Sequence, residues 1–391
     1  MKSFKKPISP FLTSSDQPVS FAELFFDLVF VYAITQVVQL LHHGFYWDYV
    51  LQAILVFWLV WWGWTQYTWA LNAANTLHRA IQVAILVATA IAFFMAVSVP
   101  HAFDESSIWF ALAYVAVRSI GLYIYLWVTW PDQEMRRAVK TFATLSVLGM
   151  CSAIAGGLIG GEWQYGLWFL TILLDMLAAG IGGNSDGWNL HPRHFSERHG
   201  LFVIIALGET LIIAASAATE EFSDTYLLVV SCLCIAMTCC LWWIYFFRAK
   251  EKLEHAMQSK TGADQSKFGR DVYSLLHFPL ICGLIIYAYS IEEAMTHPHV
   301  EMSDAARAAL ALGILVYSTG IVLTHLRATG KWLNFRLLIT VVFGACIYFI
   351  QGVQTFWTLI IALAGLLTIC IIEEINSPFG RNIKEGGIEV E

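Results

Sequence analysis

The sequence predicts an all-α membrane protein, a polytopic transmembrane helical bundle of about twelve spans. Of its 391 residues, 58% are hydrophobic and only 13% are charged, roughly half the charged fraction of an ordinary soluble domain. The apolar residues also form continuous blocks of about 20 residues, the length that a helix needs to cross the hydrocarbon core. Composition and pattern therefore both exclude a soluble single-domain protein.

Twelve such blocks follow one another along the chain. We place them at residues 21–41, 48–71, 79–99, 106–129, 136–159, 163–180, 199–217, 225–247, 271–290, 304–326, 332–350 and 354–373. The connections are short except for 181–198 and 248–270, so consecutive helices are expected to be neighbours. Residues 1–19 are polar, and the first block carries Glu23 and Asp27 without a cleavage site, so we interpret it as a retained span.

The positions of the basic residues predict the orientation. With the N-terminus in the cytoplasm, 20 of the 22 Lys and Arg residues fall in cytoplasmic tails and loops, while Arg307 lies outside and Arg118 within a span. Lys and Arg are enriched on the cytoplasmic side of membrane proteins. We therefore predict an even number of spans with both termini in the cytoplasm.

Short similarities between the two halves of the chain predict an internal repeat. The entry to the first span, Phe21-Ala22-Glu23, is echoed six spans later by Phe195-Ser196-Glu197, and Trp61-Trp62 is echoed by Trp242-Trp243. An even separation keeps both halves in the same orientation. We predict a 6+6 parallel repeat with six-helix halves at residues 1–190 and 191–391, within one membrane domain.

Charged side chains inside the predicted spans are the main clue to function, because an unpaired charge in hydrocarbon costs several kcal/mol. We expect Arg118 to pair with Asp27 or Glu209, since all three lie deep in their spans. Asp27 and Glu209 would then bind protons or ions, with Arg118 as a counter-charge or anion-binding group. The candidates for binding a proton, an ion or a substrate are Glu23, Asp27, Arg118, Asp175, Glu197, Arg198, His199 and Glu209.

Tryptophans crowd the second predicted span, with five between positions 58 and 69. Helix packing is the favoured interpretation, and a cavity for an apolar or cationic ligand is the alternative. The eight cysteines all lie inside apolar blocks and are expected to pack as small hydrophobic side chains. His191, His194 and His199 are close in sequence, but Pro192 interrupts the segment, and we predict no metal site there.

Motifs for several other chemistries are missing from the sequence. There is no P-loop, GxSxG, HExxH or dinucleotide fingerprint, so we predict no cofactor and name no catalytic residue. No motif for binding nucleic acid is present either. The expected partners are the lipid bilayer and a small molecule or ion that the sequence does not identify, and the oligomeric state is equally open.

Two segments carry a family resemblance. The run ELFFDLVFV from Glu23 to Val31, and the run ERHGLF from Glu197 to Phe202 that precedes Gly208-Glu209, combine charges with apolar neighbours. Both resemble signatures of the low temperature requirement A family, over nearly the whole chain. The resemblance implies a bacterial multipass protein of the cytoplasmic (inner) membrane, linked by the family name to growth in the cold. It marks as signature residues Glu23, Asp27, Glu197, Arg198, His199 and Glu209.

The sequence leaves three functions open. A secondary transporter or permease, proton-coupled through intramembrane carboxylates, is the leading hypothesis. The first alternative is an intramembrane enzyme acting on a lipid or quinone-like substrate, with Glu197 and His199 as candidates for a general base. The second alternative is a non-catalytic scaffold or stress-related protein whose charges are structural. Of these, the enzymatic role is not favoured.

Overall fold

The computed structural model describes residues 10–13, 16–41, 45–182, 188, 190–220 and 223–375. In this part of the chain twelve long helices follow one another, and the predicted all-α class is confirmed. Their bounds are α1 (Phe21–Leu41), α2 (Trp47–Ala73), α3 (Arg79–Val97), α4 (Ser107–Thr129), α5 (Gln133–Ile159), α6 (Gly161–Gly182), α7 (Pro192–Glu220), α8 (Thr225–Gln258), α9 (Gly262–Thr296), α10 (Asp304–Thr329), α11 (Asn334–Phe349) and α12 (Thr355–Ile375).

Ten of the described helices are long and apolar enough to cross a membrane. The other two, α2 and α11, occupy the second and eleventh predicted spans. Helix α11 is apolar but has only 16 residues, fewer than the roughly 20 that span a bilayer core. Helix α2 has 27 residues, most of them buried, among them Trp58, Trp61, Trp62, Trp64, Gln66 and Asn72, so these side chains contact protein instead of lipid.

The predicted long connection at 248–270 is wrong, because helix continues through most of it. Helix α8 extends to Gln258 and α9 begins at Gly262, each through a π-helical segment, Ile244–Ala249 and Gly269–Leu275. The stretch Lys250–Gln258 is too polar for a span but consists largely of good helix formers. Leu253 and Met257 lie four residues apart on one face of that helix and are both buried.

By its internal contacts the chain divides into two compact units. Unit 1 comprises Met1–Ala206, Lys252–Phe278 and Arg327–Thr329. Within it α2 packs against α1, α4 and α6, while α5 packs against α4 and α6. Helix α2 contributes Trp61, Trp64 and Tyr67, which are among the largest fully buried side chains, and it is therefore a central element of this unit.

Unit 2 comprises Leu207–Glu251, Pro279–Leu326 and Gly330–Glu391. Within it α12 packs against α8 and α11. Helices α9 and α10 approach so closely that a Cβ atom on Gly283 would lie 2.4 Å from the backbone nitrogen of Tyr317. Small residues permit such close packing of membrane helices. The six-helix halves at 1–190 and 191–391 stay a prediction.

Candidate functional site

Glu23 lies in the first turn of α1 and helps to begin that helix. The backbone N–H and the hydroxyl of Ser20 each donate to Glu23 Oε1 at 2.9 Å, and the Glu23 backbone N–H lies 3.4 Å from Ser20 Oγ. This reciprocal arrangement is a capping box, which satisfies backbone donors that the first turn of a helix leaves free. One oxygen of Glu23 is therefore committed to local structure.

Arg198 of α7 joins the two carboxylates of α1. Its Nη1 donates to Glu23 Oε2 at 2.9 Å and its Nη2 donates to Asp27 Oδ1 at 2.6 Å, and all three side chains are buried. Glu23 and Asp27 are four residues apart, so they share one helical face and would repel each other. The guanidinium between them offsets that repulsion. We call Glu23, Asp27 and Arg198 the acidic network.

Two side chains of α2 complete the surroundings of the acidic network. The indole Nε1–H of Trp64 donates to Asp27 Oδ1 at 2.8 Å. The amide nitrogen of Asn72 lies 3.1 Å from His194 Nδ1, and His194 Nε2 lies 3.0 Å from Glu23 Oε2. An amide NH₂ group only donates, so Nδ1 accepts and the ring proton sits on Nε2, facing Glu23. His194 therefore connects Asn72 of α2 to Glu23 of α1.

The acidic network contains two carboxyl groups and one guanidinium. With both carboxyl groups ionised it carries one excess negative charge. Both oxygens of Glu23 are hydrogen-bonded, whereas Asp27 Oδ2 is buried without a partner among the described residues. A single proton on Asp27 Oδ2 would neutralise the network and use the free oxygen.

Arg118 has a different partner from the two that the sequence suggested. The expected pairing with Asp27 or Glu209 is wrong, because Arg118 Nη1 donates to both carboxylate oxygens of Asp175 at 2.8 Å. Tyr114 and Gln66 accept from the same guanidinium at 2.7 and 2.8 Å. This second ion pair is fully buried and already balanced in charge, and it joins α4 to α6 with α2 as a third contact.

The remaining predicted site residues lie outside these two groups. His199 is buried, and its Nδ1 lies 2.9 Å from the carbonyl oxygen of Phe195, which makes Nδ1 the donor. Glu197 is half-buried on the same helix. Glu209 is buried in the part of α7 that belongs to unit 2. The structure thus brings together Glu23, Asp27 and Arg198, and separately Arg118 and Asp175.

Sequence reasoning missed the neutral members of both groups, namely Trp64, Asn72, Gln66 and Tyr114. For Trp64, Gln66 and Asn72 the available signal was their place in a tryptophan-rich helix, whereas Tyr114 lies on α4. Burial lowers the pKa of His191, which lies just before α7. In the described part of the chain, no cluster of three His, Cys, Asp or Glu side chains is arranged to hold a metal ion.

The fold and the buried ion pairs define a polytopic α-helical membrane protein with a buried carboxylate network. The chain belongs to the family described as bacterial low temperature requirement A protein (LtrA), whose model matches residues 18–371. It is also 26% identical over 294 residues to an uncharacterized protein of Rhizobium meliloti (strain 1021), covering 72% of this chain and 70% of that relative. No solved structure matches the chain.

Proposed function

We propose that the protein is a proton-coupled secondary transporter of the bacterial cytoplasmic membrane, with both termini in the cytoplasm. The observation that carries the proposal is the acidic network, in which one guanidinium serves two buried carboxyl groups. Charged groups inside a membrane are costly, and where they persist they commonly mark proton or substrate pathways. A network that is neutral only with one proton bound suits that role.

Asp27 is the proposed site of proton uptake and release. Its Oδ1 already accepts from Arg198 and Trp64, while its buried Oδ2 is without a partner in the described chain. A protonated carboxyl group carries its proton on an oxygen that accepts no other hydrogen bond, and Oδ2 is such an oxygen. Glu209, about three turns farther along α7 from Arg198, is proposed as the second titrating carboxylate.

Proton binding at Asp27 would weaken a bond that joins two helices. The Arg198–Asp27 contact connects α7 to α1 at 2.6 Å, and it is an ion pair only while Asp27 is ionised. Uptake of a proton converts it to a weaker hydrogen bond. The position of α7 on α1 thereby depends on the protonation state, as coupling between proton and cargo requires.

The enzyme alternative has less geometric support. Glu197 and His199 were its candidate bases, but residues two apart on a helix do not face each other. Glu197 is half-buried while His199 is fully buried among aromatic rings. An experiment separates the scaffold alternative from transport. If the protein is a scaffold, loss of the Asp27 charge should damage its folding. If it is a transporter, the same change should leave a folded protein with reduced flux.

The test compares wild-type protein with Asp27→Asn and Glu209→Gln in proteoliposomes that contain a pH dye, under an imposed pH gradient and a panel of organic solutes. Asp48→Asn is the matched control, since Asp48 is exposed in the first turn of α2. We expect faster internal acidification for wild type and Asp48→Asn than for Asp27→Asn and Glu209→Gln. Gel filtration should show that all four proteins are folded. Equal rates in all four would contradict the proposal, and so would an unfolded Asp27→Asn protein.

A further inference from the structure

An open groove with a volume of about 500 Å³ lies on the surface of unit 1, where α4 ends and α5 begins. This volume is in the range of pockets that bind small molecules. The residues that line the groove are mostly aromatic: Phe11, Tyr123, Leu126, Trp127, Trp130 and Pro131. None of them belongs to the acidic network, so the groove is a separate feature of the same unit.

One wall of the groove is a segment that precedes α1 and is fixed to the end of α2. The Asn75 backbone N–H donates to the Phe11 carbonyl oxygen at 2.7 Å, and the Thr13 N–H donates to the Ala73 carbonyl oxygen at 3.0 Å. The ring centroid of Phe11 lies 4.3 Å from that of Trp127 on α4. Backbone hydrogen bonds and ring packing therefore hold this wall in place.

The groove lies at the level where α4 and α5 meet the membrane surface. Helix α4 ends at Thr129, and α5 begins four residues later at Gln133. On the groove, Tyr123 is 64% exposed and Trp130 is 52% exposed. Exposed Tyr and Trp side chains at helix ends are typical of the interface between hydrocarbon and headgroups. An acyl chain can therefore enter the groove from the adjoining leaflet.

Two basic side chains lie over the indole ring of Trp130. The guanidinium carbon of Arg136 is 5.2 Å from the ring centroid, and Lys140 Nζ is 4.8 Å from it. Arg136 Nη1 donates to the Trp130 carbonyl oxygen at 2.9 Å. Within the described chain, the other guanidinium nitrogens and the Lys140 ammonium form no hydrogen bond or ion pair. They are available to a phosphate group.

The acidic residues beside the groove do not cancel this positive charge. Asp132 Oδ1 accepts from the backbone N–H groups of Glu134 and Met135, each at 3.0 Å, and so caps α5. Residues 130–140 contain three basic side chains, the third being that of Arg137, and two acidic ones, for a net charge of +1. An anionic ligand is favoured there over a cation.

We propose that the groove binds an anionic phospholipid, with an acyl chain along Tyr123 and Trp127 and the phosphate on Arg136 and Lys140. Basic pockets beside membrane helices are suited to such headgroups, because the phosphate meets cations where the chains meet apolar rings. The proposal goes beyond transport and does not depend on it.

The N-terminal tail is a less suitable occupant of the groove. Phe11 lines the groove, and the residues before it include Lys2, Lys5 and Lys6. Placing these side chains beside Arg136 and Lys140 would bring like charges together, which repel each other. Charge complementarity therefore favours the phospholipid.

The test is native mass spectrometry of the purified full chain in detergent, titrated with dioleoyl phosphatidylglycerol and with dioleoyl phosphatidylcholine. The two lipids have the same acyl chains and differ in headgroup charge. One basic residue near a membrane surface strengthens the attraction of an anionic lipid by about fivefold. With two such residues, we expect wild type to bind the first phosphatidylglycerol molecule more tightly than phosphatidylcholine by about tenfold or more.

Charge variants locate the headgroup. Combining Arg136→Gln with Lys140→Gln is expected to abolish the preference for phosphatidylglycerol, whereas Lys140→Arg should keep it. Lys260→Gln is the matched control, because Lys260 Nζ also lies over an aromatic ring, that of Phe268 at 5.2 Å, but does not line or adjoin the groove. The control should retain the full preference.

A second pair of variants locates the acyl chain. Trp127→Ala removes a wall of the groove and should weaken the binding of both lipids. Trp109→Ala is its control, since Trp109 is 67% exposed in the first turn of the same helix, at the end away from the groove. Its lipid affinities should equal those of wild type.

Several results would overturn the inference. Equal affinity of wild type for the two lipids, or a preference that survives the double charge variant, would exclude the assigned headgroup site. Competition by glycerol 3-phosphate at the same concentration would assign the basic residues to a soluble phosphate. In native membranes, p-benzoylphenylalanine in place of Tyr123 should cross-link to a phospholipid. A cross-link to residues 1–9 would make the tail the occupant, and one to another protein would make the groove a protein interface.

Discussion

Glu23 and Asp27 are one turn apart on the same helix, yet their oxygen atoms have different surroundings. Glu23 caps α1 through Ser20 and also binds Arg198 and His194. Asp27 binds Arg198 and Trp64 through a single oxygen. A carboxylate with many donors is held in its charged form, whereas one with an unused oxygen has room for a proton. We therefore propose that Glu23 has a structural role and Asp27 the functional one.

Replacing Arg198 tests this description of the acidic network. In Arg198→Gln, Glu23 and Asp27 remain buried without their shared cation, and breaking such a buried pair costs about 3–5 kcal/mol. We expect a large drop in the melting temperature of the detergent-solubilised protein. Adding Asp27→Asn should recover part of the loss, because it removes one uncompensated charge.

The matched control for this prediction is Arg193→Gln. Arg193 lies on the same helix five residues earlier, and its side chain is exposed. Its replacement should leave the melting temperature nearly unchanged. Equal losses for Arg193→Gln and Arg198→Gln, or a double variant that is less stable than Arg198→Gln alone, would contradict the proposed charge balance.

At the scale of single helices, close packing depends on a few glycines. In α9, a Cβ on Gly283 would approach the backbone nitrogen of Tyr317 to 2.4 Å, and in α10 a Cβ on Gly313 would approach that of Tyr287 to 2.7 Å. Backbone atoms cannot move aside as flexible side chains can. Both positions therefore need glycine for the helices to approach this closely.

Gly283→Ala is expected to destabilise unit 2. The added methyl group forces α9 and α10 apart, and overpacking of this kind costs about 1–3 kcal/mol. Thermal unfolding followed by tryptophan fluorescence would show the loss. Gly166→Ala is the control, since no atom lies within 4 Å of a Cβ built there, and its stability should not fall. A Gly283→Ala protein as stable as Gly166→Ala would show that the interface is looser than described.

For the whole molecule, alternating helices place the loops on predictable sides of the membrane. If the N-terminus is cytoplasmic, as proposed, and all twelve helices cross the membrane, the connection between α3 and α4 would lie outside and that between α8 and α9 inside. Glu105 is exposed and Lys260 is half-buried in these two connections. In intact cells, an impermeant maleimide should label Glu105→Cys and should label Lys260→Cys only after permeabilisation. The reverse pattern, or labelling of both from outside, would overturn the topology.

The eight native cysteines are the background in this labelling experiment. All of them lie in helices and none forms a disulfide. The unmodified protein measured in parallel gives their contribution. A signal from Glu105→Cys that does not exceed this background would also count against an external position for that connection.

The fold class and the positions of the helices were largely predictable from sequence, because apolar blocks record which segments face lipid. The continuation of α8 and α9 through 248–270 was not, since polar helical residues such as Lys250–Gln258 resemble a loop in hydropathy. Side-chain partners were the least predictable feature. Arg118 pairs with Asp175 and not with Asp27 or Glu209, because which helices are neighbours is decided by packing across the unit and not by depth in the membrane.

The claim that the acidic network holds one proton, on Asp27, is tested most directly by infrared spectroscopy of the purified protein. Protonated carboxyl groups absorb separately from carboxylates. We expect a protonated carboxyl band in wild type and in Asp48→Asn that is lost in Asp27→Asn and shifts when the chain is labelled with carboxyl-¹³C aspartate. A band that persists in Asp27→Asn, or that does not respond to labelled aspartate, would contradict the account.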